Sequence, residues 1–444
     1  MMNNPEFRRN IWLELTPYRV IGMPVVLGAL FVLVFMVSAE RGYEATAYLS
    51  LMLYSAIIFL WGTRQAAEAV VAEVRDRTWD SQRMSGIEPW SMTWGKLLGS
   101  TVYPWYGGVL CLTVYAIVTT GNPEQRTVST LVLYLVCGLL AHAVALLSSM
   151  QALKKDRHYN KSQAAAFLVL GVIMVGPALS TAFYSKRTYQ WFNETFQGRD
   201  FIMFSALMFL VWMVVGIYRL MRTELQLRNG PFVWLGFTAF LILYCAGFIN
   251  AAEPRELLFD RFFVAYVVAL LLTYGMAISE RKDPVSFKRL IVAYGKKDWK
   301  RVLQELPCWA TTLLPALVAG AGMFLSAYSI ADPVRTAAGL QIFISSSSLF
   351  LLRDLGLLLF FNFAKNPKRA DMIMVLCLGL LYGIIPGILS ALQLDAMTSL
   401  FWPNWERQSF LACVPAGIEV LIVWLLVLDR WKTYNKPGLD PART

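Results

Sequence analysis

At 444 residues, 57% hydrophobic and only 16% charged, with positive mean hydropathy, the chain excludes an ordinary soluble domain and falls among polytopic membrane proteins. A net charge of +11 invites nucleic acid as a partner, a reading to be weighed against where the basic residues fall. The six cysteines (Cys111, Cys137, Cys245, Cys308, Cys377, Cys413) sit in or beside apolar segments without paired spacing, and the two histidines are His142 and His158, so neither a disulfide framework nor a metal or haem site is expected.

Taken in order, residues 4–15 (NPEFRRNIWLEL) form an amphipathic stretch, with Phe7, Ile11 and Leu15 on one face and Arg8, Arg9 and Glu14 elsewhere. Such a segment reads as a helix lying in the membrane interface or as a basic flank that orients the first span. Apolar runs long enough to cross roughly 30 Å of hydrocarbon follow at 20–38, 46–72, 94–119, 127–152, 162–184, 200–221, 231–251, 259–279, 307–328, 336–362, 371–393 and 409–429, which predicts 12 spans. No small-residue cleavage site follows the first, so it is expected to stay as an uncleaved span.

With the amino terminus inside, 30 of the 40 Lys and Arg lie on the cytoplasmic side, 9 on the other, and Arg353 falls within a span. That asymmetry predicts both termini in the cytoplasm and explains the net charge without nucleic acid. The longest outer loops, 185–199 and 394–408, mix Trp and Phe with charges and are expected to form small helices at the outer interface. Nothing matches GxxxxGK[ST], so the chain has no P-loop with which to hydrolyse ATP and reads as a transport subunit, not an enzyme.

One compact charged piece, 73–96 (EVRDRTWDSQRMSGIEPWSMTWGK), stands between two long apolar runs. Glu73 and Arg77, and Asp76 and Asp80 with Arg83, are spaced three or four apart, which predicts charges stacked along about three helical turns over 73–88. Gly86 is placed to close that helix in a left-handed cap, and Pro89 suits the first turn of the next. Trp79, beside Arg75, Arg77 and Arg83, offers an aromatic anchor.

The order Glu73, Thr78, Asp80, Arg83, the Gly-x-x-Pro break from Gly86 to Pro89, and then Gly95-Lys96 resembles the loop after the second span in permeases of the ABC-2 type exporter family. The amphipathic start resembles that family's elbow helix, and the resemblance covers residues 4–222, an elbow plus six spans. It implies an ABC exporter of multi-subunit build in a bacterial inner membrane, with 73–88 as the coupling helix. A soluble ABC ATPase subunit would dock there through Glu73, Arg75, Asp76, Arg77, Thr78, Trp79, Asp80 and Arg83, and that partner, not this chain, would hold ATP and Mg. The family is usually a single six-span chain. The longer chain leaves open whether it supplies both halves or pairs with a second copy or further subunits, and whether 280–301 or 153–161 docks a second ATPase.

Two echoes point to a division into 1–222 and 223–444 with a degenerate elbow and coupling repeat at 290–306 and 353–367. DWKRVLQELP before one span parallels FRRNIWLELTP before another, and each span carries a further proline, Pro24 or Pro315. Arg75-Asp76 lies 13 residues ahead of Pro89, and Arg353-Asp354 lies 13 ahead of Pro367, each pair closing a second span. The second coupling segment, LGLLLFFNFAKN, has lost nearly all charge.

Ionisable residues within spans face a partner or a water-filled cavity. Arg353 and Asp354 are adjacent, hence about 100° apart on a helix, and their candidate partners are Glu419 and the Arg64/Glu68 pair. They read either as a latch that changes state in transport or as a contact holding spans in register. His142 reads as an interhelical hydrogen-bonder; Ser345–Ser348 and Gly320–Gly322 serve close packing or line a path. Two other functions remain on the page. An ion-coupled secondary transporter would use midplane acids, of which Glu419 and Asp354 are few, and a lipid-modifying membrane enzyme would need clustered carboxylates or metal ligands that the loops lack.

Overall fold

A computed structural model describes residues 4–38, 41–120, 127–155, 187–250, 254–280, 282–329, 337–364, 370–403 and 409–434. The chain is an all-α polytopic membrane protein: among the described residues ten helices are long and apolar enough to cross a bilayer. They coincide with ten of the predicted spans. The predicted span 231–251 holds a helix of 15 residues, Phe232–Ala246, about 22 Å long against a hydrocarbon core of roughly 30 Å. The predicted span 162–184 and most of the loop 153–161, with His158, lie outside the described residues.

The chain divides into two compact units, Met1–Tyr189 with Thr195–Asn229, and Gln190–Glu194 with Gly230–Thr444. In the first, α1 (Pro5–Glu14) is capped by Asn4, whose side chain accepts from the N–H of Glu6 and Phe7, and Pro5 occupies the first turn, where a missing N–H costs nothing. α2 (Pro17–Val37) again starts on proline. α3 (Gly42–Arg75) contains a π-helical stretch, Ser55–Gly62, and leads through α4 (Trp79–Arg83) to α5 (Pro89–Gly99). Then come α6 (Val102–Thr119), α7 (Thr127–Lys155) and α8 (Gly198–Glu224). The core is filled by Tyr54, Ile58, Leu133, Tyr134, Cys137 and Ala141, with Tyr54 Oη–H donating to the Tyr134 carbonyl at 2.8 Å.

The predicted span 94–119 is broken. Ser100 and Thr101 turn their hydroxyls back onto the carbonyls of Lys96 (2.6 Å) and Leu97 (2.9 Å), and Pro104 cannot return an N–H to Ser100. α5 therefore stands as a separate helix before the span α6.

For the segment 185–199 the sequence predicts small helices. Its described part is instead a hairpin, β1 (Thr188–Trp191) and β2 (Glu194–Gln197). Phe192 and Asn193 both take positive φ (50° and 66°), the conformation of a two-residue hairpin turn, and the flanking Tyr, Trp, Thr and Phe favour strand. In the segment 394–408 a helix of 4 residues, Asp395–Thr398, forms, and 404–408 lies outside the described residues.

In the second unit α9 (Phe232–Ala246) and α10 (Pro254–Ser279) precede α11 (Pro284–Gly295) and α12 (Trp299–Glu305). α13 (Cys308–Ser326) and α14 (Ala337–Asn362) follow. α15 runs as Ala370–Gly379, a π-helical turn Leu380–Ile384 and Ile385–Ala391, and α16 is Val414–Tyr434. α10 packs along α13, joined by Thr273 Oγ–H on Thr312 Oγ at 3.0 Å. The serine tetrad is consumed by packing: Ser345 and Ser346 bond back to the Gln341 and Ile342 carbonyls, and Ser347 and Ser348 meet Tyr266 Oη at 3.0 and 3.2 Å.

The second coupling segment of the predicted repeat is not placed as the first is. Arg75 ends α3, whereas Arg353 and Asp354 lie inside α14, which continues to Asn362 through buried Leu355, Leu358 and Leu359. The apolar counterpart segment is thus the end of a span, and Pro367 lies outside the described residues.

Candidate functional site

The charged piece after α3 folds differently from one three-turn helix. Arg77 adopts φ 59°, the Arg77 N–H returns to the Val74 carbonyl (3.3 Å) and the Thr78 N–H to the Glu73 carbonyl (2.9 Å). This double closure stops α3 at Arg75, and an arginine in the left-handed position costs about 1 kcal/mol relative to glycine. α4 has only 5 residues. Gly86 then takes φ +72°, and Pro89 opens α5, both as the sequence predicts.

The break turns two of the expected docking residues inward. Trp79 is 4% exposed and packs with Val70, Val71, Met92, Leu97 and Ile217, its indole N–H donating to Glu224 Oε2 at 3.3 Å. It anchors α4 to its own unit, not to a partner. Glu73 does not pair with Arg77; its carboxylate holds Lys96, Arg9 and Gln82 Nε2 (2.7 Å).

Lys96 is the centre of this arrangement. It is 1% exposed, and its three N–H bonds go to Glu6 Oε1 (2.6 Å), Gln82 Oε1 (2.9 Å) and Glu73 Oε2, while the ammonium stands 5.6 Å from the Trp79 ring centroid. An ammonium has three donors, and all are used. Arg9 closes the cluster from its open side, 3.2 Å from Glu6 and bonded to Glu73, so one buried and one half-buried carboxylate meet two cations. A buried charge removed from water is tolerable only with such complete pairing. α1 therefore seats its polar face, Asn4, Glu6 and Asn10, while Trp12 and Leu13 stay exposed. Gly95 and Gly99 admit it: a Cβ at Gly95 would stand 2.7 Å from Glu6 Cβ, and one at Gly99 would stand 2.8 Å from Asn10 Nδ2.

Outward, the piece presents Arg75, Asp76, Arg77, Thr78 and Asp80, together with Met84 at 87% exposure. Arg83 is partly covered and pairs with Asp80 at 3.2 Å, and Arg75 reaches Asp76 at 3.3 Å. These exposed pairs contribute little to stability in water.

Three of the intramembrane residues, Arg353, Asp354 and Glu419, gather in the second unit, whereas Arg64, Glu68 and His142 belong to the first. Arg353 Nε–H donates to Asp354 Oδ1 at 2.9 Å, so the adjacent residues do pair, because the long guanidinium folds back along the helix. Arg353 Nη1–H reaches Glu419 Oε2 on α16 at 2.6 Å, one of the two candidate partners that the sequence offers. Asp354 Oδ2 accepts from Tyr274 of α10 and Tyr382 of α15, each at 2.7 Å, and the guanidinium lies 4.6 and 5.2 Å from the Phe350 and Tyr382 ring centroids. Sequence reading did not pick out either tyrosine. Arg64 and Glu68 pair with each other at 3.2 Å on an exposed face of α3. His142 is buried and bonds through Nε2 to the Ile58 carbonyl at 3.0 Å, an acceptor within the π-helical stretch. Among the described residues no group of three or more His, Cys, Asp or Glu is placed to hold a metal ion. Compared with family models, with curated proteins and with solved structures, the chain matches none.

Proposed function

We propose that the chain is the membrane permease subunit of an ATP-driven exporter, moved by separate ABC ATPase subunits that dock on the surface around α4 from the cytoplasm of a bacterial inner membrane. The observation that carries this is the Lys96 cluster. A motor can transmit work only to a part that does not fold away under load, and here a five-residue helix between two apolar runs is fixed by a saturated buried ammonium to α1, α3 and α5. The docking surface under this proposal is Arg75, Asp76, Arg77, Asp80, Arg83 and Met84; Glu73 and Trp79 hold it from beneath. ATP and Mg belong to the partner.

The test is to solubilise the tagged chain with its ABC ATPase and measure ATP hydrolysis by the complex. Arg83→Glu and Asp80→Lys are expected to release the ATPase while the permease keeps its unfolding midpoint. An ATPase that stays bound and fully active with both variants refutes the docking surface.

One observation favours ion-coupled secondary transport instead. Around Arg353 two carboxylates share one cation, so the cluster carries a surplus acid in mid-span. Proton-driven uptake into proteoliposomes without ATPase, abolished by Glu419→Gln, would favour that reading over the first.

A further inference from the structure

We infer that the helical hairpin α11–α12 is a binding surface for the headgroups of anionic phospholipids. The segment joins α10 to α13, two spans that pack side by side, so both its ends are tied to the same membrane surface. α11, with 12 residues, is about 18 Å long, too short to carry the segment away from the bilayer.

Its inner side is fixed. Phe287 packs edge-on against Phe363 at 5.5 Å, Ala293 is buried, and Glu280 accepts the Cys308 N–H at 2.9 Å where α13 begins. The turn between the helices repeats the closure seen after α3: Lys297 takes φ 56°, with the Lys297 N–H on the Tyr294 carbonyl and the Asp298 N–H on the Ala293 carbonyl, each at 3.0 Å. Tyr294 and Trp299 meet edge to face across that turn at 5.8 Å.

The open side mixes apolar and cationic groups in the pattern that an interface requires. Val285, Ile291, Val292, Tyr294 and Trp299 are between 48% and 63% exposed. Lys288, Arg289, Lys296, Lys297, Lys300 and Arg301 are exposed beside them. The acids of the hairpin are committed elsewhere: Asp283 caps α11 through the Val285 N–H, Asp298 caps α12 through the Arg301 N–H, and Glu305 faces Arg289 at 3.8 Å. Lys288, Lys296, Lys297, Lys300 and Arg301 have no acidic partner among the described residues. Placing five unneutralised cations beside an aromatic pair and three β-branched residues suits a phosphate-bearing surface with acyl chains beneath it. A soluble acidic partner would leave the valines and isoleucine wet. The inference needs only that the chain spans a bilayer, and stands whether or not an ATPase drives it.

The full-length chain in nanodiscs tests it, with photo-crosslinking probes carrying the reactive group in the headgroup of phosphatidylglycerol or of phosphatidylcholine, and with modified peptides mapped by mass spectrometry. Crosslinks from phosphatidylglycerol are expected to concentrate on 284–305. Each charge removed should lower headgroup occupancy about fivefold, so Lys288→Gln/Lys296→Gln/Lys297→Gln/Lys300→Gln should reduce the yield more than tenfold and leave the phosphatidylcholine yield unchanged. Raising salt from 0.15 to 1 M should weaken the preference as the screening length falls from about 8 to about 3 Å. Equal yields from the two probes, or a yield that the fourfold variant does not change, overturns the assignment. Because the four lysines are exposed, the variant should keep the parent's unfolding midpoint, which separates lost lipid from lost fold.

Discussion

Lys96 and Arg353 each sit between two carboxylates, yet they solve different problems. Around Lys96 the charges balance, since Arg9 joins from the open side, and the five groups, two acids, one amide and two cations, come from α1, α3, α4 and α5. Around Arg353 two carboxylates share one cation; two tyrosine hydroxyls donate to Asp354 and aromatic faces flank the guanidinium. An ammonium is a point charge that directs three bonds to three separate helices; a guanidinium is a flat fork that stacks and bridges two neighbours. The first cluster ties a short surface helix down, the second registers α10, α14, α15 and α16 within the span region. A tie that must not move is best neutral and saturated.

The largest effect should follow removal of the balanced centre. Lys96→Met leaves Glu6 and Glu73 facing each other with only the half-exposed Arg9, and breaking a buried pair from one side costs about 3–5 kcal/mol. The thermal unfolding midpoint of the nanodisc-embedded protein should fall sharply, and adding Glu6→Gln with Glu73→Gln should restore most of it. A midpoint unchanged in the single variant would mean that the cluster holds nothing.

Next in size is the seat of α1. Gly95→Val places a branched side chain where Glu6 Cβ already lies, an overpacking cost of about 1–3 kcal/mol that α1 escapes by detaching. Limited trypsin digestion should then cut at Arg8 and Arg9 much faster than in the parent. At the other cluster Arg353→Lys keeps the charge but loses the flat fork, so contact with Asp354 or Glu419 is given up at about 2 kcal/mol, read again from the unfolding midpoint. A Lys that serves there equally well would show that stacking on Phe350 and Tyr382 is incidental.

Much of this frame is legible in sequence, because hydrophobic runs report spans directly: ten of them recur as helices at their predicted places, and Gly86 and Pro89 punctuate as expected. Glu419 is legible as a candidate partner of Arg353 because few other acids lie at span depth, but sequence alone does not choose it over the Arg64/Glu68 pair. What was missed depends on geometry that periodicity does not carry. Lys96 falls within GKLLG, where two glycines four apart announce a close helix crossing, but the pattern does not say that a glutamate will be buried in it. Trp79 was expected to face outward because the turn at Arg77 had no glycine to mark it. The hairpin had a signal, Phe-Asn between runs of strand formers, that aromatic content masked. The π-helical stretch that offers the Ile58 carbonyl to His142, and the π turn that holds Tyr382, follow no residue pattern in this chain.

The smallest stability effect belongs to the outward half of the same charged piece, and its smallness is the point. Asp80 is 75% exposed at its side chain and among the described residues its one ion pair runs to Arg83 within one short helix, so Asp80→Asn should change unfolding stability by less than about 0.5 kcal/mol. Gln82, two residues on, is buried between Glu73 and Lys96, and Gln82→Leu should lower the midpoint measurably because it leaves both without an amide partner. If α4 is a peg with one structural and one docking face, Asp80→Asn should alter only the permease-dependent ATPase rate, and Gln82→Leu should alter rate and midpoint together. Equal stability losses from the two substitutions would show that the helix has no free face to offer, and the docking proposal would fall with it.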